Sequence, residues 1–223
     1  MSRHLHTETT HLKRKILQLG AIVEDAVQRA VLAFLESDIQ LANQVIEHDR
    51  KIDLFEVEIE EDCLKVLALH QPVAIDLRFV VSVLKMDNDI ERIGDLAVNI
   101  AERAIMVAKH PQIPPPFHVQ TMAQQARLML RGALDAMVNK NIPLARQISN
   151  QDDEIDEMNR RTIETIHELI KKHPEHTEPY LLYLSVSRLL ERLADYATNI
   201  CEDVVYMVEG TIVRHRKDFK VNP

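Results

Sequence analysis

The second half of this chain copies the first. Leu41-Ala42-Asn43-Gln44 returns as Leu144-Ala145-Arg146-Gln147, and Asp49, Ile52 and Asp53 return as Asp152, Ile155 and Asp156, all at an offset of 103. Further on, the twelve residues Glu91 to Glu102 return as Glu191 to Glu202 at an offset of 100, with seven of the twelve identical. The three-residue change of offset has to fall in a connection, because inside a helix it would rotate every later side chain off its face. It falls at His70-Gln71-Pro72 and His173-Pro174. A chain duplicated in this way must build one unit twice.

The unit is helical. With four glycines, no tryptophan and 4% aromatic residues in 223, the chain lacks the turns and strand formers that a sheet requires. Punctuation predicts six helices. The first spans about Thr9 to Leu35, and Ser37-Asp38 caps a second that ends near Leu69. The third starts after Pro72 and stops before His110-Pro111. The run Pro111-Gln112-Ile113-Pro114-Pro115-Pro116 cannot be helical and reads as a linker. A fourth helix runs to about Lys140, and Pro143 suits the first turn of a fifth. Pro174 and Pro179 bracket the start of a sixth, which Gly210 ends after Glu209. The predicted fold is therefore all-α: two tandem, pseudo-symmetric, antiparallel three-helix bundles, residues 1–110 and 117–223, joined by 111–116, with a short basic tail.

Projected at 100° per residue, the third helix has two faces. Phe79, Val83, Met86, Ile90, Ile93, Ala97 and Ile100 form a core face, whereas Leu77, Val81, Leu84, Asn88, Glu91, Asp95, Asn99 and Glu102 fill another sector of roughly 80°. That second stripe begins apolar and becomes wholly acidic and amide. Glu191, Asp195, Asn199 and Glu202 repeat it on the sixth helix. Folding the second helix back about Pro72 sets Asp49 level with Asp95 and Asp53 level with Glu91; the second copy sets Asp152 with Asp195 and Asp156 with Glu191. Like charges at such spacings repel, so a group of four calls for full solvation or for a cation. Oxygen ligands suit Mg²⁺, Ca²⁺, Mn²⁺ or iron. The candidate metal ligands are Asp49, Asp53, Glu91, Asp95, Asn99 and Glu102 in one half, and Asp152, Asp156, Glu191, Asp195, Asn199 and Glu202 in the other.

Asp76-Leu77-Arg78-Phe79, followed by Asn88-Asp89-Ile90-Glu91-Arg92-Ile93-Gly94-Asp95 and Asn99, resembles the signature of the PhoU family, accessory proteins of the bacterial phosphate-specific transport system. Glu191-Arg192-Leu193-Ala194-Asp195 with Asn199 is similar to that family's second E/DxxxD motif, with Ala194 in place of Gly94 and Arg188 in place of Asn88. The resemblance extends over essentially the whole chain. It implies two three-helix bundles whose E/DxxxD sites bind metal ions or clusters in some members. It also implies a negative regulator of phosphate uptake and of the phosphate-starvation response, with the transporter's ATPase subunit and a sensor histidine kinase as partners. Membrane association would be peripheral, through those partners, and a homodimer is compatible with such a bundle. Arg78 carries over as a family feature with no role read for it.

Other readings are weaker. A dimetal oxidase needs ExxH pairs; Glu164 and His167 have that spacing, but their first-half equivalents are Glu61 and Leu64. A structural scaffold with a solvated acidic face is the remaining alternative. No glycine-rich phosphate loop, nucleophile elbow or Cys/His constellation occurs, so no enzyme is predicted. The net charge of −8 opposes nucleic acid as a partner, and Arg214-His215-Arg216-Lys217 is too terminal and short to reverse that. Cys63 and Cys201 read as buried, reduced thiols. The first twenty residues hold no apolar signal segment and no stretch of 18 apolar residues occurs, so a cytoplasmic location is expected.

Overall fold

A computed structural model of the chain describes residues 3–213. The basic run at Arg214–Lys217 lies outside them. The elements are α1 (Arg3–Glu36), α2 (Ile39–His70), α3 (Ala74–Val107), α4 (Val119–Asn139), α5 (Ile142–Asn150), α6 (Asp152–Lys172) and α7 (Thr177–Glu209), with a short 3-10 turn, Pro174–His176, before α7. The all-α class and the six-helix plan hold, with the fifth helix interrupted at Gln151 into α5 and α6.

Caps explain most boundaries. Asp38 accepts a hydrogen bond from the Leu41 amide at 2.9 Å, and Asn141 accepts one from the Leu144 amide at 3.0 Å, with Pro143 in the first turn of α5. Gly210, at φ 76°, ends α7 in the left-handed conformation that glycine adopts without strain. No helix occupies residues 108–118, and the proline run sits there. The first helix begins at Arg3 rather than Thr9, because Leu5, Leu12, Ile16 and Leu19 continue one buried stripe back to the N-terminal end. The break at Gln151 places Asp152, Asp153 and Glu154 in the first turn of α6, where the positive end of the helix dipole favours them.

Two bundle-like sub-regions result: α1, α2 and α3 pack together, and α4 to α7 pack together. They share one continuous core, because α3 also packs along α7 and α1 along α4. Phe34 of α1 meets Tyr183 of α7 edge-on, with ring centroids 4.8 Å apart. All seven residues of the predicted core face of α3 are buried. Cys63 and Cys201 are buried free thiols. Among the described residues no helix is long and apolar enough to cross a membrane.

Candidate metal centre

With the apolar face of α3 buried, its next face turns toward α2. Gly94 lets the two helices approach: a Cβ there would lie 3.2 Å from both Cδ1 and Cγ2 of Ile52, and 3.7 Å from Oδ1 of Asp49. Asp49 is thereby set beside α3 at the level of Asp95. Burial, with the charges of Asp53 and Asp95, pushes the Asp49 carboxyl up to about 6. Burial, with Asp95, Glu56, Asp53 and Asp49, pushes Glu91 up to about 7. Glu56 is raised too, by burial and by Glu60 and Asp53. The four residues paired across the hairpin in the sequence, Asp49, Asp53, Glu91 and Asp95, thus form one electrostatic group, which Glu56 joins.

Asn99 and Glu102 are engaged elsewhere. The Asn99 amide donates back to the Asp95 carbonyl at 2.7 Å, and Glu102 pairs with the Arg103 guanidinium at 3.0 Å.

The second half has the same plan with different detail. Asp152 is buried, and Asp152, Asp153 and Asp156 each bring one carboxylate oxygen within 4.8 Å of the other two. Burial, Asp156 and Asp152 raise Glu191, while Arg192 and Arg188 partly offset them. Asp195 is exposed on the same helix, one turn on. Asn199 and Glu202 line an open cavity of about 610 Å³ between α3 and α7, with Lys85, Asn88, Asp89 and Arg92.

Two acidic residues were missed by reasoning from the repeat. Asp153 corresponds to Arg50 in the first half, so matching the copies passes over it. Asp87 is only 1% exposed; burial, with Glu56, Glu60 and Glu91, pushes it up to about 8. It lies one turn before Glu91 on the α2-facing side of α3, and the i, i+4 series Asp87, Glu91, Asp95 was its one available signal. Glu164 and His167 are both exposed on α6, so they do not face a bundle interior.

The donor set on each side of the molecule is oxygen, and its carboxyls are mutually destabilised when charged. Both properties fit a hard cation. In the second half Asp152, Asp153 and Asp156 are close enough to share one, with Glu191 beside them; among the described residues the first-half set Asp49, Asp53, Glu91 and Asp95 is coupled through charge but not drawn together to the same degree.

Comparison with known proteins agrees with this architecture. The family model described as PhoU domain matches residues 16–104 and again residues 119–204. A phosphate-specific transport system accessory protein PhoU homolog of Pseudomonas putida is 37% identical over 216 residues, 96% of this chain and 84% of that protein. The crystal structure of PhoU from Pseudomonas aeruginosa superimposes with a TM-score of 0.88 at 34% identity, covering 92% of this chain and 99% of that one. The phosphate transport system regulatory protein PhoU from Streptococcus pneumoniae gives 0.87 at 31% identity, covering 94% and 99%.

Proposed function

The chain belongs to the PhoU family, and from that premise we propose that it is a non-catalytic, negative regulator of phosphate uptake and of the phosphate-starvation response. Its finer role is that of a cytoplasmic, metal-binding helical adaptor, docking on the ATPase subunit of a phosphate transporter and on a sensor histidine kinase. The repeats 1–110 and 117–223 are its two metal-bearing units, and 111–116 is the connection between them.

One observation carries the metal reading. Asp152, Asp153 and Asp156 bring their carboxylate oxygens within 4.8 Å of one another, and in both halves burial and carboxylates facing across two helices raise Asp49, Glu91 and Glu191. A bound divalent cation supplies the positive charge that such a group lacks. The chain's part is positional. Gly94 draws α2 onto α3, Ile52 packs beneath the site, and the buried faces of both helices hold the carboxylates at fixed levels. Neutralising the acidic face also fixes its shape, which is what a partner protein would read.

The test is elemental analysis of the untagged protein, before chelation and after reloading, beside the E91Q/D95N/E191Q/D195N variant. Metal retained by the parent and lost by the variant, with unchanged helical circular dichroism, is the expected result. A phosphate-responsive reporter in cells lacking their own regulator then reads function: the parent should repress it, and the variant should repress it less. Equal metal in both proteins would end the metal reading, and equal repression by both would separate regulation from metal.

A further inference from the structure

The two halves differ where the repeat predicts likeness, one helical turn before Glu91 and Glu191. In the second half the buried Ser187 hydroxyl donates to Oδ1 of Asn159 at 2.8 Å, a neutral pair joining α7 to α6. The repeat offsets put Asp87 and Glu56 at these two positions in the first half. The first half therefore carries two carboxylates at the positions where the second carries a hydroxyl and an amide. Glu60 and Cys63 stand one and two turns further along α2, where the second copy has Ile163 and Ile166. Asp87 is buried, and its Oδ1 finds no hydrogen-bond partner among the described residues. The charged groups it faces are Glu56, Glu60 and Glu91. A buried carboxylate oxygen without a donor is costly unless something positive reaches it.

We propose that Asp87, Glu56 and Glu60 form an inner divalent-cation site between α2 and α3, present in the first half and replaced by the Ser187–Asn159 hydrogen bond in the second. Asp87 is its fixed, buried anchor. Glu56 is half-buried and Glu60 exposed, so both are long side chains at the rim, able to swing onto an ion that Asp87 holds. Three carboxylates select a hard cation of the Mg²⁺, Mn²⁺ or Ca²⁺ kind. Glu91 lies between this group and the Asp49–Asp53–Asp95 group, and so is the carboxylate the two would share. The two halves therefore take up unequal numbers of cations. The inference extends the metal reading above, but its anchor is a residue outside that set, so the two can fail separately.

Mn²⁺ binding to the chelated full-length chain, counted by equilibrium dialysis with electron paramagnetic resonance of the free ion, tests it. D87S/E56N transplants the second half's neutral pair, and D87N is the minimal change should the double variant not fold. Both should lose one equivalent of Mn²⁺, or hold it at least about tenfold more weakly, whereas D49N/D95N should keep that equivalent. Full stoichiometry and affinity in folded D87N would overturn the inference while leaving the outer sites standing. Loss of every first-half equivalent in D49N/D95N would overturn it as well, because the inner site would then have no existence apart from the outer one. Loss in D87N with no effect of D49N/D95N would sustain the inner site and remove the outer.

Discussion

Arg78 sits near the start of α3, yet its work is at the far end of the chain. Its Nε donates to the Met207 carbonyl at 3.3 Å and its Nη2 to the Val208 carbonyl at 3.4 Å, so a guanidinium closes the last turn of α7. A cation at a helix C-terminus interacts favourably with the dipole and supplies donors to carbonyls that have none within the helix. Arg78→Ala should therefore cost about 1–2 kcal/mol, read as a lower urea midpoint at unchanged slope. An unchanged midpoint would mean that solvent serves these carbonyls equally well. The sequence marked Arg78 but could not supply its role, because nothing local links residue 78 to residue 207. Asp87 escaped for a different reason: it lies about 40° outside the acidic sector of α3, and its second-half counterpart is Ser187. Its carboxyl, held at about 8 when folded, titrates near 4 in an unfolded chain. The native state then binds the proton more tightly, so its contribution to metal-free stability falls as pH rises from about 4 to about 8 and is constant above. With chelator present, the melting-temperature advantage of D87N over the parent should grow across that window and level off beyond it. A constant difference would show that burial does not hold the proton on Asp87.

At the scale of elements, the pairing of α3 with α7 matters most, since each carries one acidic stripe. The seam contains an ion pair whose acid is buried. Lys85 Nζ lies 2.9 Å from Oδ1 of Asp203, which is 2% exposed, and 5.0 Å from the centroid of the Tyr206 ring. The Ser82 hydroxyl donates to the Asp203 carbonyl at 3.3 Å, and further along the Arg103 Nε donates to Ser185 Oγ at 3.2 Å. Removing one partner of such a pair leaves a charge in a place that water does not reach. Lys85→Ala should cost about 2–3 kcal/mol, below the roughly 3–5 kcal/mol of a fully buried pair because the lysine itself is partly exposed, and D203N/K85M should recover most of that loss in chemical denaturation. If the double variant is as unstable as K85A, packing rather than charge holds the seam. The helices themselves were legible, since prolines, Asp38, Asn141 and Gly210 punctuate them. The seam was not: Lys85 and Asp203 belong to different copies, and internal repetition aligns equivalent positions without saying which of them touch. The break at Gln151 was hidden by the repeat, because α2 runs unbroken through the corresponding residues.

For the whole molecule, what fixes the halves relative to one another decides whether both acidic faces can meet one partner. The sequence offers the proline run, residues 111–116, as the linker between the halves. The packing supplies stronger constraints. Gly20 lies at the crossing of α1 with α4, where any Cβ would collide with Cδ1 of Leu134. Nearby, Arg127 of α4 pairs with Glu24 of α1 at 3.1 Å, both largely buried. With α3 laid along α7 as well, the two sub-regions are joined through a shared core and not only through residues 111–116. Doubling the linker with six glycine and serine residues should then cost only about 0.6 kcal/mol of loop-closure entropy. It should leave the solution radius of gyration, after allowance for the added residues, and the metal content as they were. Gly20→Val, by contrast, should force the Leu134 side chain to repack at this crossing and cost about 1–3 kcal/mol through overpacking. The pair of measurements divides the explanations: a long linker that loosens the molecule while Gly20→Val leaves it intact would transfer control of the inter-half angle from the helix faces to the prolines.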